Sequence, residues 1–162
     1  MQAVDGTEAT QYLSFKLADE DFALDIAQVR EVLDLPSITA VPRTQGFVKG
    51  VINLRGAVVP VVDLRLKFGM NTPEPTVNTR VIITEIDLDD DPTVLGALAD
   101  SVQEVMELES LCIETPPKLG IHIKTEYLKG MGKRGDEFVM ILDLDKIISL
   151  SDFSAVSQAG ES

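Results

Sequence analysis

Lys49-Gly50 followed by Val61-Val62-Asp63-Leu64 recurs 80 residues later as Lys129-Gly130 followed by Ile141-Leu142-Asp143-Leu144. Each copy is a tight turn leading into an apolar strand that ends on an acidic residue. A repeat of this kind restricts the chain to architectures made of two like units packed on each other, because neither unit buries much apolar surface alone. Such a molecule works by shape and surface rather than through one deep catalytic pocket.

Of 162 residues, 44% are apolar, which places the chain among folded proteins and outside the disordered class. It carries 27 acidic against 14 basic residues, a formal charge of -13. That balance opposes binding to a nucleic-acid backbone, which needs clustered Lys and Arg, and attachment to anionic lipid. Two Tyr, six Phe and no Trp leave few rings for stacking bases. Cys112 is the single cysteine, so no intrachain disulfide forms and a reducing compartment is expected. Met1 to Asp5 have no basic region with an apolar run behind it, and no stretch reaches the roughly 20 apolar residues of a membrane span. A cytoplasmic protein with no direct membrane insertion is expected.

Leu13, Phe15 and Leu17 alternate with polar neighbours, and Phe22, Leu24 and Ile26 resume the alternation beyond the turn Ala18 to Asp21, which predicts a hairpin. Ala27 to Leu33 starts as a helical turn and continues as a strand. Gly46 to Asn53 is expected to hold a short helical turn with Phe47 and Val51 on one face. Ala57 to Leu64 is apolar almost without a break, as in a strand covered on both faces, and Pro60 within it argues for an edge or a bulge. Residues 69 to 79 are a polar, proline-containing connection between the halves, after which Val81-Ile82-Ile83 opens the second unit. Val102-Gln103-Glu104-Val105 echoes Val29-Arg30-Glu31-Val32, and residues 116 to 122 form a loop. Short strands and glycine turns predict a mainly β protein of small barrels. One domain over 11–150 is expected, with flexible tails at 1–10 and 151–162.

Catalytic and metal chemistry find little support. His122 is the lone histidine, and with Cys112 ten residues off it has no zinc partners beside it. No serine sits in a Gly-x-Ser-x-Gly elbow. Asp87 to Asp91 resembles a calcium loop, but Pro92 and Leu98 stand where glycine and glutamate are required, so a solvated hairpin end is the better account. Gly130 to Gly135 is followed by Asp136 in place of the remainder of a phosphate loop. Asp63 and Asp143 could be a carboxylate pair; their equivalent places in the repeat favour strand-end caps that accept backbone N–H groups. No metal and no cofactor are expected.

Glu31 and Arg55 each combine a charge with apolar neighbours. If the strand around Glu31 passes the Arg55-Gly56 turn, the guanidinium grips the carboxylate bidentately and pins the loop. The alternative is an ordinary surface pair worth at most about 1 kcal/mol. Composition and spacing leave both open.

The run from Lys49 to Arg65, with Val51-Ile52-Asn53-Leu54-Arg55-Gly56 and Pro60-Val61-Val62-Asp63 inside it, resembles the signature of the CheW chemotaxis adaptor family. The likeness extends through Tyr12-Leu13-Ser14-Phe15, Val29-Arg30-Glu31-Val32, Tyr127-Leu128-Lys129-Gly130 and Ile141-Leu142-Asp143-Leu144, from about residue 11 to 150. The resemblance implies two intertwined, SH3-like five-stranded barrels with a further apolar core between them. It implies a protein without catalysis that couples methyl-accepting chemoreceptors to the histidine kinase CheA. One barrel would dock on the kinase regulatory domain, and the receptor's hairpin tip would lie in the groove between barrels. Carried over by position, Glu31 and Arg55 match the family's charged pair near the receptor-facing surface, Val29, Val32, Ile52 and Leu54 are the candidates for the apolar groove, and Asn53 and Gly56 shape the loop, together the partner-binding candidates. Gly50, Pro60, Asp63, Gly130 and Asp143 are structural. The second unit has Gly135 in the place of Arg55, so the barrels are not expected to be interchangeable as binding surfaces.

Overall fold

Two-residue alternation of buried and exposed positions organises nearly every element. The computed structural model describes residues 9–44, 46–109, 113–114, 123, 125–135 and 137–153. β1 (Ala9–Leu17) and β2 (Glu20–Asp25) form the expected hairpin, and a 3-10 turn (Ile26–Gln28) leads into β3 (Val29–Asp34). β4 (Val48–Leu54) and β5 (Ala57–Val62) form a second hairpin, closed by the short helix α1 (Leu64–Lys67). The later unit repeats this order. β6 (Arg80–Leu88) and β7 (Asp91–Ala99) form a hairpin; β8 (Ser101–Glu109) and the short β9 (Ile113–Glu114) follow. β10 (Leu128–Arg134), β11 (Glu137–Leu142) and α2 (Leu144–Ile147) complete it.

The two sheets share one strand order, β8-β1-β2-β11-β10 in lobe 1 and β3-β6-β7-β5-β4 in lobe 2, with β9 as a sixth strand on the edge of the first. Two SH3-like barrels result. Each lobe takes its leading hairpin from one sequence unit and its remaining strands from the other. The exchange is sealed by parallel pairing of β11 with β2 and of β5 with β7. The 69–79 connection therefore separates the repeated units but not the lobes, since β5 before it and β7 after it are neighbours in one sheet.

Three apolar clusters follow from the alternation. Ile52, Val59, Val61, Val81, Ile83 and Leu98 fill lobe 2, and Tyr12, Ala23, Leu108, Val139 and Ile141 fill lobe 1. The opposite faces of the same strands meet in the largest cluster, which joins Phe15, Phe22 and Leu24 to Val62, Phe68 and Ile82. Val61 and Val62 thus serve different cores, which is why β5 reads as an unbroken apolar run. Phe15, Phe22, Phe68 and Tyr127 form a chain of ring contacts across the lobes, with centroids 6.2, 6.1 and 6.0 Å apart in turn.

Several expectations are corrected. Val48–Leu54 is a strand and not a helical turn: Val48, Gly50 and Ile52 are buried while Lys49 and Asn53 are exposed, a period of two. Pro60 lies in β5, between β7 and β4, and not on an edge strand. Its missing N–H is tolerated because the β7 ladder begins only at Val61, so β5 has one neighbour at Pro60. Order extends beyond 150, since a 3-10 turn (Leu150–Phe153) buries Phe153 in the interlobe core. At the other end, β1 begins at Ala9. Cys112, His122, the 116–122 loop and the outer parts of both tails lie outside the described residues.

Candidate functional site

The β4–β5 hairpin turns on two residues, with Leu54 opposite Ala57. Arg55 and Gly56 both take positive φ, 50° and 89°, as the type I′ turn that fits strand twist requires. Asn53 Oδ1 accepts the Gly56 N–H at 2.9 Å and closes the turn. Arg55 is a costly residue in this backbone region. The conformation projects its guanidinium toward β3, where a bulge between Val29 and Glu31 re-aims the Glu31 carboxylate. Arg55 Nη1 donates to Glu31 Oε1 at 3.4 Å, and Arg55 Nη2 donates to Glu31 Oε2. The bidentate pair left open by the sequence is formed. The hydrogen bond from Arg55 lowers the Glu31 pKa below the usual carboxylate value. Next to it, Arg30 Nη1 donates to Glu85 Oε1 at 2.7 Å.

The pair stands on the rim of an open depression of about 640 Å³ lined by Leu54, Val58, Pro60 and Val94 among others. Val58 is 55% exposed. The partner-binding candidates do not all gather here. Glu31 and Leu54 lie on the side of the sheet that faces lobe 2's own core, next to Arg55. Val29 packs on the interlobe core, and Val32 pairs with Ile82, a member of that core, so these two belong to the other side. Ile52 is only 3% exposed and fills the lobe 2 interior, which removes it from any contact surface. Asn53 and Gly56 are exposed and shape the turn.

Lobe 1 repeats the frame with different chemistry. Its β8 carries the same bulge, placing Glu104 where lobe 2 has Glu31. The β10–β11 turn has Gly135 in the place of Arg55. Phe138, 47% exposed, stands where lobe 2 has Val58, with the Lys133 ammonium 5.7 Å from its ring centre. These outward apolar residues are hidden in the sequence because they open runs whose other members are buried; overlaying the two repeats would mark them.

The strand-end carboxylates also diverge. Asp63 is 1% exposed and caps α1, accepting the Arg65 N–H at 3.0 Å, and its carboxylate is gripped by Arg65 Nε at 2.9 Å and Nη2 at 2.8 Å. Arg65 Nη1 reaches Asp100 Oδ1 at 2.7 Å. The Asp63 hydrogen bond raises the Arg65 pKa. Asp143 makes no side-chain cap bond to α2, so the expected cap holds at one copy only. Both keep a backbone tie across the hairpin base, Asp63 N–H to Phe47 O at 2.7 Å and Asp143 N–H to Tyr127 O at 2.8 Å. Gly50 and Gly130 mark the same bulge in the two hairpins. At Gly50, φ is 149° and a Cβ would fall 2.1 Å from the Thr39 carbonyl oxygen. Sequence reasoning misses Arg65 and Asp100; the signal it holds for Arg65 is a charge of opposite sign directly after a duplicated Asp-Leu.

Among the described residues no helix is long and apolar enough to cross a membrane. The acidic run at 87–91 spans the end of β6, the start of β7 and the turn between them, Asp89 and Asp90, both at positive φ.

Comparison with known proteins places these features. A model described as the CheW-like domain matches residues 11–152. The chain is 33% identical over 156 residues to the chemotaxis protein CheW of Klebsiella aerogenes, covering 96% of this chain and 92% of that one. It is 27% identical over 150 residues to Protein FrzA of Myxococcus xanthus, covering 91% of each. Among solved structures it resembles the scaffolding protein TtCheW from Thermoanaerobacter tengcongensis, with a TM-score of 0.79, 31% identity, and coverage of 94% of this chain and 96% of that chain. With two exchanged barrels and a family match that runs almost end to end, this chain belongs to the CheW family of chemotaxis scaffold proteins.

Proposed function

We propose that this protein is a non-catalytic adaptor that couples methyl-accepting chemoreceptors to the histidine kinase CheA. Lobe 2 docks on the kinase regulatory domain through the rim built by Glu31, Asn53, Leu54, Arg55 and Gly56. The receptor's hairpin tip lies in the groove between the lobes, where Val29 and Val32 share the sheet side of the interlobe core. The complex assembles in the cytoplasm, in arrays at the inner face of the membrane, without nucleic acid, metal or cofactor. Several weak contacts repeated across an array supply avidity that one contact lacks. The adaptor transmits signal thermodynamically: a receptor state that binds it better biases the kinase's two-state balance.

The observation that carries this reading is the Glu31–Arg55 pair. A left-handed non-glycine residue and a β-bulge are both used to hold one exposed ion pair beside an apolar depression. Such a pair adds little to folding, so its geometry is better explained by what it presents to a partner. Calorimetry of the purified chain against a CheA regulatory domain, without ATP or metal, tests it. Binding is expected, and Arg55→Glu should weaken it at least tenfold while leaving the melting temperature nearly unchanged. No heat at high micromolar concentration rejects the kinase contact; equal loss of folding assigns Arg55 to the structure instead.

A second reading keeps the scaffold but places it in a chemosensory pathway with an output other than motility. The likeness to a relative named Protein FrzA, and not chemotaxis protein, favours keeping it. Reconstitution of the chain with its own receptor and kinase, followed by identification of the phosphorylated output protein, separates the two.

A further inference from the structure

The lobes meet through a large apolar core, whose driving force is non-directional, so polar contacts across the junction add orientation to what packing supplies. One buried polar network does carry direction. Asp100 stands at the crossover where the chain leaves β7 in lobe 2 for β8 in lobe 1. Its N–H donates to Lys16 O at 2.9 Å, and its Oδ2 accepts the Ala18 N–H at the β1–β2 turn, both in lobe 1. Its Oδ1 accepts Arg65 Nη1 from lobe 2, and Arg65 is itself locked bidentately to Asp63. Arg65 Nη1 also donates to Pro73 O at 3.2 Å, tying in the 69–79 connection. One guanidinium thus joins the end of β5, the interlobe crossover and the connection between units. A planar fork with two carboxylates fixes relative orientation in a way that close packing alone does not.

The related junction on the other side of the molecule is built differently. Asp143 matches Asp63, but Asp145 replaces Arg65. By the register of the flanking strand, Glu85 on β6 takes the place of Lys16 on β1. Asp145, Glu85, Asp87 and Gln28 line an acidic depression of about 580 Å³ there. Among the described residues no ion pair joins the lobes across it, since Glu85 pairs with Arg30 of the same lobe. We propose that the Asp63–Arg65–Asp100 network is a one-sided brace that sets the angle between the lobes. Arg65 and Asp100 are positioning residues for the groove, and the opposite, acidic junction is where the lobes separate when the brace loosens. The consequence for receptor binding rests on the groove being the receptor's seat; the brace itself does not.

Paired spin labels at Val58 of lobe 2 and Phe138 of lobe 1, with Cys112 replaced by Ser, report the interlobe distance in the full chain. Arg65→Lys keeps the charge but loses the planar fork that holds Asp63 bidentately, and Asp100→Asn keeps the shape but loses the charge. Each variant should broaden the distance distribution while the amide spectrum of both lobes stays native. Receptor-hairpin affinity should fall roughly tenfold, as expected when the binding-competent angle is a minor state, with kinase-domain binding changed less than about twofold. If Arg65→Lys does not fold, the milder Asp100→Asn decides. An unchanged distribution, or loss of native spectra in both variants, overturns the brace. A hairpin that binds neither native nor variant chain, while the distances still broaden, overturns the receptor reading and leaves the brace standing.

Discussion

Arg55 occupies a backbone region that favours glycine, and its side chain is 70% exposed while gripping Glu31. The hydrogen bond from Arg55 is the main cause of the lowered Glu31 pKa, with the attraction of Arg55 and Arg30 adding to it. A carboxylate whose folded pKa is depressed contributes stability that is complete above its unfolded value and is lost as pH falls through the folded one. The pair should therefore open at a lower pH than the one at which free glutamates protonate. A carboxyl NMR titration should place the Glu31 midpoint below the model-peptide value, and Arg55→Ala should return it there; coincident curves would show the pair does not form in solution. Gly50 is a second single-residue constraint. Replacing it by Ala drives a Cβ against the Thr39 carbonyl, which also bridges to Val51, so the β4 edge must shift. A loss of about 1–3 kcal/mol in denaturant melts is expected, the range of overpacked sites.

The two strand–helix units compare the same sequence device in two settings. Asp63 and Asp143 occupy one place in the repeat, and the carboxylate pattern alone predicts the same role for both. The residue two positions on decides otherwise: Arg65 draws Asp63 into a buried ion network, whereas Asp145 offers α2 nothing similar. Asp63→Ala leaves a guanidinium that is nine-tenths buried with only Asp100 and the Pro73 carbonyl as partners, and should cost about 2–3 kcal/mol. Asp143→Ala removes no side-chain cap bond and should cost under about 1 kcal/mol. Equal costs in chemical denaturation would show that the buried network contributes no more than a loop carboxylate. The same comparison explains what could be read locally. The hairpins at 12–26 and 80–99 were legible because period-two alternation and a short polar turn lie within a few residues. Val48–Leu54 reads as a helical turn in the sequence because Phe47 and Val51, four apart, mimic a helical face where the bulge at Gly50 breaks the alternation.

The exchange of hairpins between lobes lay beyond local pattern. Alternation in Phe22 and Leu24 tells which face of β2 is apolar, but not that its free edge meets Met140 and Ile141 at the far end of the chain. That choice is set by closing two barrels at once, with Val62 and Leu142 turned toward a shared core. The family resemblance supplied the intertwining; periodicity supplied only the strands. Exchange has a mechanical consequence for the whole molecule, since neither lobe contains all of its strands from one side of the 69–79 connection. A protease site inserted between Glu74 and Pro75, in an exposed stretch, would cut the chain into its two repeated units. If each unit were its own barrel, the pieces would part as two folded halves. With exchanged strands they must stay together under native conditions and co-elute with the intact protein. They should melt in a single transition whose midpoint rises with concentration, because folding has become association. Pieces that separate on gel filtration while retaining strand circular dichroism would refute the exchanged topology, and with it the interlobe position of Asp100.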